Sequence, residues 1–480
     1  MLHLHRLQDC ESHASTAASH GAEDPRARET SPAVGCGGGR SVRAESAGKR
    51  GGDDRYRGAP QRQSPPCTTT SNTSGSTKQP KKIAFFGHFG GYNWGNESSL
   101  QAVLCHLRRM VPNAEFNCIC SDPSTVAMTY DIAAVYSRTP GVEHRTLHRP
   151  LVRLARKLVV GVPSELWQWV KSIRTLWGTD ALVVPGTGLL DDAYTLLDWG
   201  PYDLFRWSIA ARLCRCKILF VSVGASPFYS RKGRFFVKTA LSLADFRSYR
   251  DESSLRCLEG IGFRAGNDPV YPDLAFSLPE SRVPRGPDGR GGRLVVGLGL
   301  MRSSKYYPPS VYTAYLETLL EFTQWLFAHE YDVRLLTGDL VDTPTTQEFK
   351  SLVRKRSVGY GEARIISEPI ASVDDLLEQL AATDVVVATR FHNVLLALLL
   401  NKPVIAISFH HKCTSLMSQM GLLEYCQDID RLSSVRLIEQ FSELRQNSNS
   451  VKRIIMEEVR ACREALDEQY AVILSKICSE

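Results

Sequence analysis

The residues most able to do chemistry lie in short blocks where apolar runs give way to polar turns. Ala388-Thr389-Arg390-Phe391-His392-Asn393 ends a valine-rich run and opens an apolar one, and Ser408-Phe409-His410-His411-Lys412 ends the next such run. Arg390 offers a planar fork for a carboxylate or phosphate and Lys412 a point charge. His392 supplies an imidazole able to give or take a proton near neutral pH. His410 and His411 lack a carboxylate at metal-ligand spacing, so a packed or solvated pair is expected there and no metal. Further cations stand at Arg250, in Tyr249-Arg250-Asp251-Glu252-Ser253, and at Arg302 with Lys305. Arg250 reads either as a ligand contact or as the salt-bridge partner of helix-capping Asp251 and Glu252.

Two glycine-rich turns complete the candidates. In residues 87–97, Gly87-His88-Phe89-Gly90-Gly91-Tyr92-Asn93-Trp94-Gly95-Asn96-Glu97, backbone N–H groups meet a helix start, a natural pocket for an anion or polar ligand. The glycines lack the spacing of a dinucleotide fingerprint. Asn93, Asn96 and Glu97 are candidate ligand contacts; turn and cap roles are the alternative for the asparagines. In residues 185–192, Gly186 and Gly188 let backbone approach a ligand, and Asp191 either orients sugar hydroxyls or caps the following segment.

Positioning such residues takes a regular scaffold, and the chain supplies one. Short apolar runs at 82–87, 115–121, 180–184, 217–223 and 245–249 read as buried strands, with helical periodicity at 98–110, 150–177, 201–213, 231–243 and 252–261 between them. A proline- and glycine-rich stretch over 281–293 reads as a linker. A second series follows, with strands at 294–300, 332–336, 363–367, 384–388 and 403–408 and helices near 309–329, 346–356, 373–382, 391–400 and 413–420. Val451, Ile455, Val459, Cys462, Leu466, Tyr470, Ile473 and Ile477 advance by three or four, the stripe of a closing amphipathic helix. Alternation of this kind predicts an α/β fold of two Rossmann-like domains facing each other. The expected domains are 81–280 and 294–422, followed by helices over 423–480. Ligands belong at the carboxyl ends of the strands.

Composition narrows the function. Residues 1–80 hold only seven Val, Ile, Leu, Met, Phe, Trp or Tyr residues, too few to offset their ordering entropy, so a disordered tail is expected. That tail contains 11 of the 58 basic and 8 of the 51 acidic side chains, leaving the rest of the chain at +4. A balance so small does not support nucleic-acid binding, which needs a concentrated basic surface. With no secretory signal and no run long enough to span a bilayer, a cytoplasmic chain with reduced cysteines is expected. Residues 149–178 carry six basic side chains against Glu165, with Trp167, Trp169 and Trp177. They form either an ordinary solvated basic face or a surface for peripheral membrane contact.

The ordered motifs resemble the polysaccharide pyruvyl transferase family from Lys81 to Leu422. The stretches that carry the resemblance are Asn93-Trp94-Gly95-Asn96-Glu97, Pro185-Gly186-Thr187-Gly188-Leu189-Leu190-Asp191, Val223-Gly224-Ala225-Ser226-Pro227, Tyr249-Arg250-Asp251-Glu252-Ser253, and Arg390-Phe391-His392-Asn393 through Lys412 to Met420-Gly421-Leu422. The resemblance implies a GT-B-like fold and transfer of the pyruvyl unit of phosphoenolpyruvate onto two hydroxyls of a saccharide or lipid-linked oligosaccharide, with no separate cofactor. It places Arg390 and Arg250 on the donor anion, His392 at proton transfer, and Lys412 or Arg302 against departing phosphate. Asn96 stands where relatives commonly carry aspartate and cannot act as a base. Glu97 or Asp191 would then activate the acceptor, or the chain is a silent saccharide-binding relative. A GT-B glycosyltransferase using a nucleotide sugar is the remaining alternative.

Overall fold

The computed structural model describes residues 79–139, 161–186, 188–191, 200–284, 292–302, 308–356 and 362–479. The expected tail up to residue 78, the first part of the basic segment, Thr187 of the second glycine turn and linker residues 285–291 lie outside the described residues.

Among the described residues, twelve strands form two six-stranded sheets. The first contains β1 (Lys82–Phe86), β2 (Glu115–Cys120), β3 (Ala133–Tyr136), β4 (Ala181–Pro185), β5 (Lys217–Val223) and β6 (Phe246–Tyr249). The second contains β7 (Val295–Gly299), β8 (Asp332–Leu336), β9 (Ile365–Ile366), β10 (Val385–Ala388), β11 (Val404–Ser408) and β12 (Cys426–Asp428). All ladders are parallel: Ile83 pairs with Phe116 on one side and Ala181 on the other, and Val386 with Val404 and Gly297. Helices cover both faces of a parallel sheet, which is why β4, β7 and β11 are unbroken runs of buried residues.

The strand orders are β3-β2-β1-β4-β5-β6 and β12-β11-β10-β7-β8-β9. Counted from the first strand of each half, both are the same doubly wound order. Its switch point, where consecutive crossovers leave in opposite directions, is the usual ligand crevice. In the first half that crevice lies between β1 and β4, beside both glycine turns. In the second it lies between β7 and β10, beside Arg302 and the Arg390–His392 block.

Several elements differ from the sequence reading. The helix expected over 98–110 begins at Trp94, because the Asn93 side chain accepts the Asn96 N–H and Glu97 lies in the first turn. Pro123–Tyr130, β3, β12 and the 3₁₀ turn Leu274–Ser277 had no counterpart; each has at most eight residues, too short for periodicity to register. Asp122, after β2, caps Pro123–Tyr130.

The closing helix, Ser448–Cys478, buries the whole stripe read from the sequence. Gln419 in the second half donates to Cys462 Sγ at 3.6 Å, while Gln469 bonds both Ser222 and Ser248 beneath the first sheet. One helix therefore packs on both halves. In the described part of the basic segment, Val162–Leu176 leaves Val162, Leu166, Trp167 and Val170 exposed, with Trp177 beyond its end. Among the described residues, no helix is long and apolar enough to cross a membrane.

Candidate active site

Strand ends from both halves meet around one buried carboxylate, Asp273. The Arg250 backbone, just past β6, is tied to Val223 O at 3.2 Å, and the Arg250 guanidinium lies over Gly224. A Cβ on Gly224 would stand 2.5 Å from Nη2, so this turn admits the arginine because it is glycine. Arg250 Nη1 donates to Asp273 Oδ2 at 3.1 Å, Nε stands 3.5 Å from Asp251, and the Phe391 ring covers the guanidinium at 4.8 Å. Asp251 also caps the next helix by accepting the Ser254 N–H, so the salt-bridge and ligand readings of Arg250 coexist.

Asp273 Oδ1 accepts the Ala275 N–H at 3.0 Å and so caps the Leu274–Ser277 turn. Its Oδ2 stands 3.7 Å from His392 Nε2, an electrostatic contact longer than a hydrogen bond. Burial pushes the Asp273 pKa up, but His392 and Arg250 outweigh it and hold the carboxyl at about 2.

His392 projects from the first turn of Phe391–Leu399 and is fixed by a residue nearly 300 positions away. A Cβ on Gly95 would lie 1.9 Å from its Nδ1, 2.3 Å from Cε1 and 2.4 Å from Cγ. A point in the ring plane beyond Nδ1 would be much farther from the two carbons than from the nitrogen. Gly95 thus lies against the face of the imidazole, over Nδ1, and not in the ring plane beyond it.

Lys412, in the first turn of His411–Gln419 after β11, donates to Ser226 Oγ across the cleft at 2.9 Å. Burial first, and Arg250 second, pull its pKa down to about 8, while Asp191 opposes the shift. His410 accepts the Lys412 N–H through Nδ1 at 3.4 Å and is pushed down to about 3 by burial, then by Lys412, His411 and Arg250. His411 moves the same way for the same leading reasons, its ring centred 3.9 Å from that of His410. Cationic groups are thus crowded in a space that disfavours charge. Among the described residues no cluster of three or more potential metal ligands occurs.

The other candidates fall in neighbouring places. Arg390 forms a bidentate pair with Asp342, at 2.7 and 2.6 Å, and the same carboxylate accepts the backbone N–H of Arg302 at 2.8 Å; the Arg302 side chain is exposed. Burial raises the Asp342 pKa against the pull of Arg390. Asn93 donates to Asp339 at 2.7 Å, and Trp94 N–H bonds Gly338 O at 3.3 Å, stitching the first glycine turn to the loop after β8. Asn96 donates to His88 O. Glu97 faces inward, accepting from Gly90 N–H at 2.7 Å and Tyr130 O–H at 2.8 Å, and burial raises its pKa. Gly186 packs beneath Ser99 and Leu274, whereas Gly188 is exposed with open space beside its Cα.

The structure therefore brings Arg250 and His392 onto Asp273, sets Lys412 within electrostatic reach of Arg250 and Asp191, and pairs Arg390 and the Arg302 backbone with Asp342. The sequence reading singled out neither Asp273 nor Asp342. Tyr271-Pro272-Asp273-Leu274 carries at most a capping signal, and Asp342 has no motif around it.

A profile of the polysaccharide pyruvyl transferases matches residues 93–411. The amylovoran biosynthesis protein AmsJ of Erwinia amylovora is 19% identical over 341 residues, 67% of this chain and 76% of that protein. The fold is similar to a putative UDP-N-acetylglucosamine 2-epimerase from Listeria monocytogenes, with TM-score 0.53, 12% identity and coverage of 83% of this chain and 96% of that one. A glycosyltransferase from Rickettsia africae gives TM-score 0.50 and 10% identity over 84% and 100% of the two chains. These likenesses make the fold GT-B-like. The family match makes the protein a transferase and supports pyruvyl transfer to polysaccharide as its activity. Motif order, paired switch points and profile agree that this chain belongs to the polysaccharide pyruvyl transferase family.

Proposed function

We propose that the protein transfers the pyruvyl unit of phosphoenolpyruvate onto two hydroxyls of a saccharide, forming a cyclic ketal and releasing phosphate. The supporting observation is the crowding of Arg250, Lys412, His410 and His411, with Lys412 pulled to about 8 and His410 to about 3. A small polyanion entering that space relieves the repulsion and restores the protonated forms. Phosphoenolpyruvate carries a carboxylate and a phosphate, and Arg250 and Lys412 are the cations assigned to them.

His392 delivers a proton to the methylene carbon, making the adjacent carbon electrophilic enough for a sugar hydroxyl to add. A second hydroxyl then displaces phosphate. Of the two hydroxyl protons, one replaces the proton given to the new methyl group and the other leaves on phosphate, so atoms and charge balance. Holding donor and acceptor at this geometry supplies much of the rate. Arg390, paired with Asp342, shapes the donor side from the β10 end.

The test is incubation with phosphoenolpyruvate and a panel of galactosides, glucosides and mannosides, following phosphate and product mass. Phosphate release with the mass gain of a ketal is expected. Thermal stabilisation by a nucleotide diphosphate and none by phosphoenolpyruvate would overturn the assignment, and sugar binding without phosphate release would mark a silent relative.

A lipid-linked acceptor is the finer reading favoured by the exposed apolar side chains of Val162–Leu176 and by Trp177, beside Lys171 and Arg174. Sedimentation with vesicles containing anionic lipid tests it. Pelleting no greater than with neutral vesicles removes the membrane contact.

A further inference from the structure

We propose that Asp273 is a positioning residue of this reaction: it holds the Nε2 side of His392, so that Nδ1 is the nitrogen that delivers the proton. The inference rests on the pyruvyl-transfer reading above and assigns a role to a residue outside every motif in the sequence.

Three observations converge. Asp273 is 3% exposed, and its two oxygens divide the work: Oδ1 is fixed by the Ala275 N–H, while Oδ2 faces Arg250 Nη1 at 3.1 Å and His392 Nε2 at 3.7 Å. His392 Nε2 is buried and has no hydrogen-bond partner, so Asp273 Oδ2 is its nearest charged neighbour among the contacts described. Gly95 lies against the ring face and not in the plane beyond Nδ1, and of the two ring nitrogens Nε2 is the one buried without a hydrogen bond. A carboxylate behind one ring nitrogen fixes the tautomer and ring orientation and stabilises the imidazolium, without itself taking the proton. At 3.7 Å the contact is electrostatic, and a shortening of about 0.5 Å makes it a hydrogen bond.

In the transfer step the Nδ1–H bond breaks as a C–H bond forms at the donor's methylene carbon, using the electron pair of its double bond. The adjacent carbon takes an electron pair from the first acceptor hydroxyl, and that hydroxyl's proton returns to Nδ1. The ring ends the step as it began, and Asp273 stays ionised throughout. Asp273 also occupies Arg250 before the donor arrives, so the donor anion competes with an internal carboxylate for that guanidinium.

Asp273→Asn is the discriminating variant: its amide oxygen still caps the 3₁₀ turn, while the charge is lost and an N–H donor replaces the Oδ2 acceptor facing Arg250 and His392. We expect kcat to fall by about 10- to 100-fold. The KM for phosphoenolpyruvate should not rise, because Arg250 loses an internal competitor. Asp273→Asn combined with His392→Ala should be no slower than His392→Ala alone. An unchanged kcat, a loss confined to KM, or a further drop in the double variant would overturn the assignment.

A second measurement does not depend on turnover or on the variant folding. The ¹⁵N shifts of the His392 ring in the wild-type protein, at a pH where the ring is neutral, should place the proton on Nε2. A proton on Nδ1 refutes the pairing. If the wild type releases no phosphate from phosphoenolpyruvate, the pyruvyl-transfer reading fails on its own, while the ring tautomer still decides whether Asp273 holds His392.

Discussion

Gly95→Ala isolates the contact that joins the two halves of the chemistry. The added Cβ would sit 1.9 Å from His392 Nδ1, whereas ordinary van der Waals contact begins at 3.4 Å, so the imidazole must retreat by about 1.5 Å. A displacement of about 1 Å at a reacting group can cost 10²-fold in rate. The expected result is therefore a fall of about 100-fold in kcat. Stability should move little: alanine in a helix gains up to about 1 kcal/mol over glycine, offsetting part of the 1–3 kcal/mol that overpacking typically costs. The assay is phosphate release from phosphoenolpyruvate with a productive acceptor, run beside thermal unfolding. His392→Ala should cut turnover by about 10²- to 10⁴-fold, to a measurable remainder, with the fold intact, and adding Gly95→Ala to it should restore or raise the melting temperature, since the obstructing ring is gone. Wild-type turnover in Gly95→Ala would refute the reasoning, as would a double variant less stable than either single one.

Lys412 predicts a pH dependence. Its folded pKa, about 8, lies below its ordinary 10.5. Between those values the unfolded chain binds more protons, so this group makes stability rise with pH there; below about 8 the cost of burying the charge is present in full. Donor binding runs the other way, so the KM for phosphoenolpyruvate should climb as pH passes about 8, and Lys412→Arg should remove that limb; a limb unchanged in the variant excludes Lys412 as its source. Glu97→Gln should keep substantial turnover, because the amide oxygen still accepts the Gly90 N–H and the amide N–H₂ can donate to the Tyr130 oxygen; loss of activity with an intact fold would make Glu97 the acceptor's base. Gln469→Leu removes the partner of the buried Ser222 hydroxyl and one of the partners of Ser248 under the first sheet, and should destabilise by about 1–3 kcal/mol in urea unfolding, with the KM for phosphoenolpyruvate unchanged. An unaltered urea midpoint would show that the bridge contributes no net stability.

The sequence by itself determined the α/β class and most of the strands, because buried parallel strands must be continuous apolar runs and the turns after them must be polar or glycine-rich. It also marked Arg250, His392 and Lys412 as candidates at strand ends, and it carries the order of motifs that identifies the family. Only the tertiary structure decided what each of them touches. Gly95 reads locally as a turn glycine, yet its missing side chain makes room for an imidazole nearly 300 residues away. Asp273 reads as an ordinary aspartate after proline, yet its burial between Arg250 and His392 makes it the hub of the site. Arg390 was legible as a cation, but not its pairing with Asp342. Periodicity reports which face of a segment is buried, a local property. Charge pairing falls off over a few ångströms, and whether two distant side chains come that close is set by how the halves pack, which no stretch of either half encodes alone.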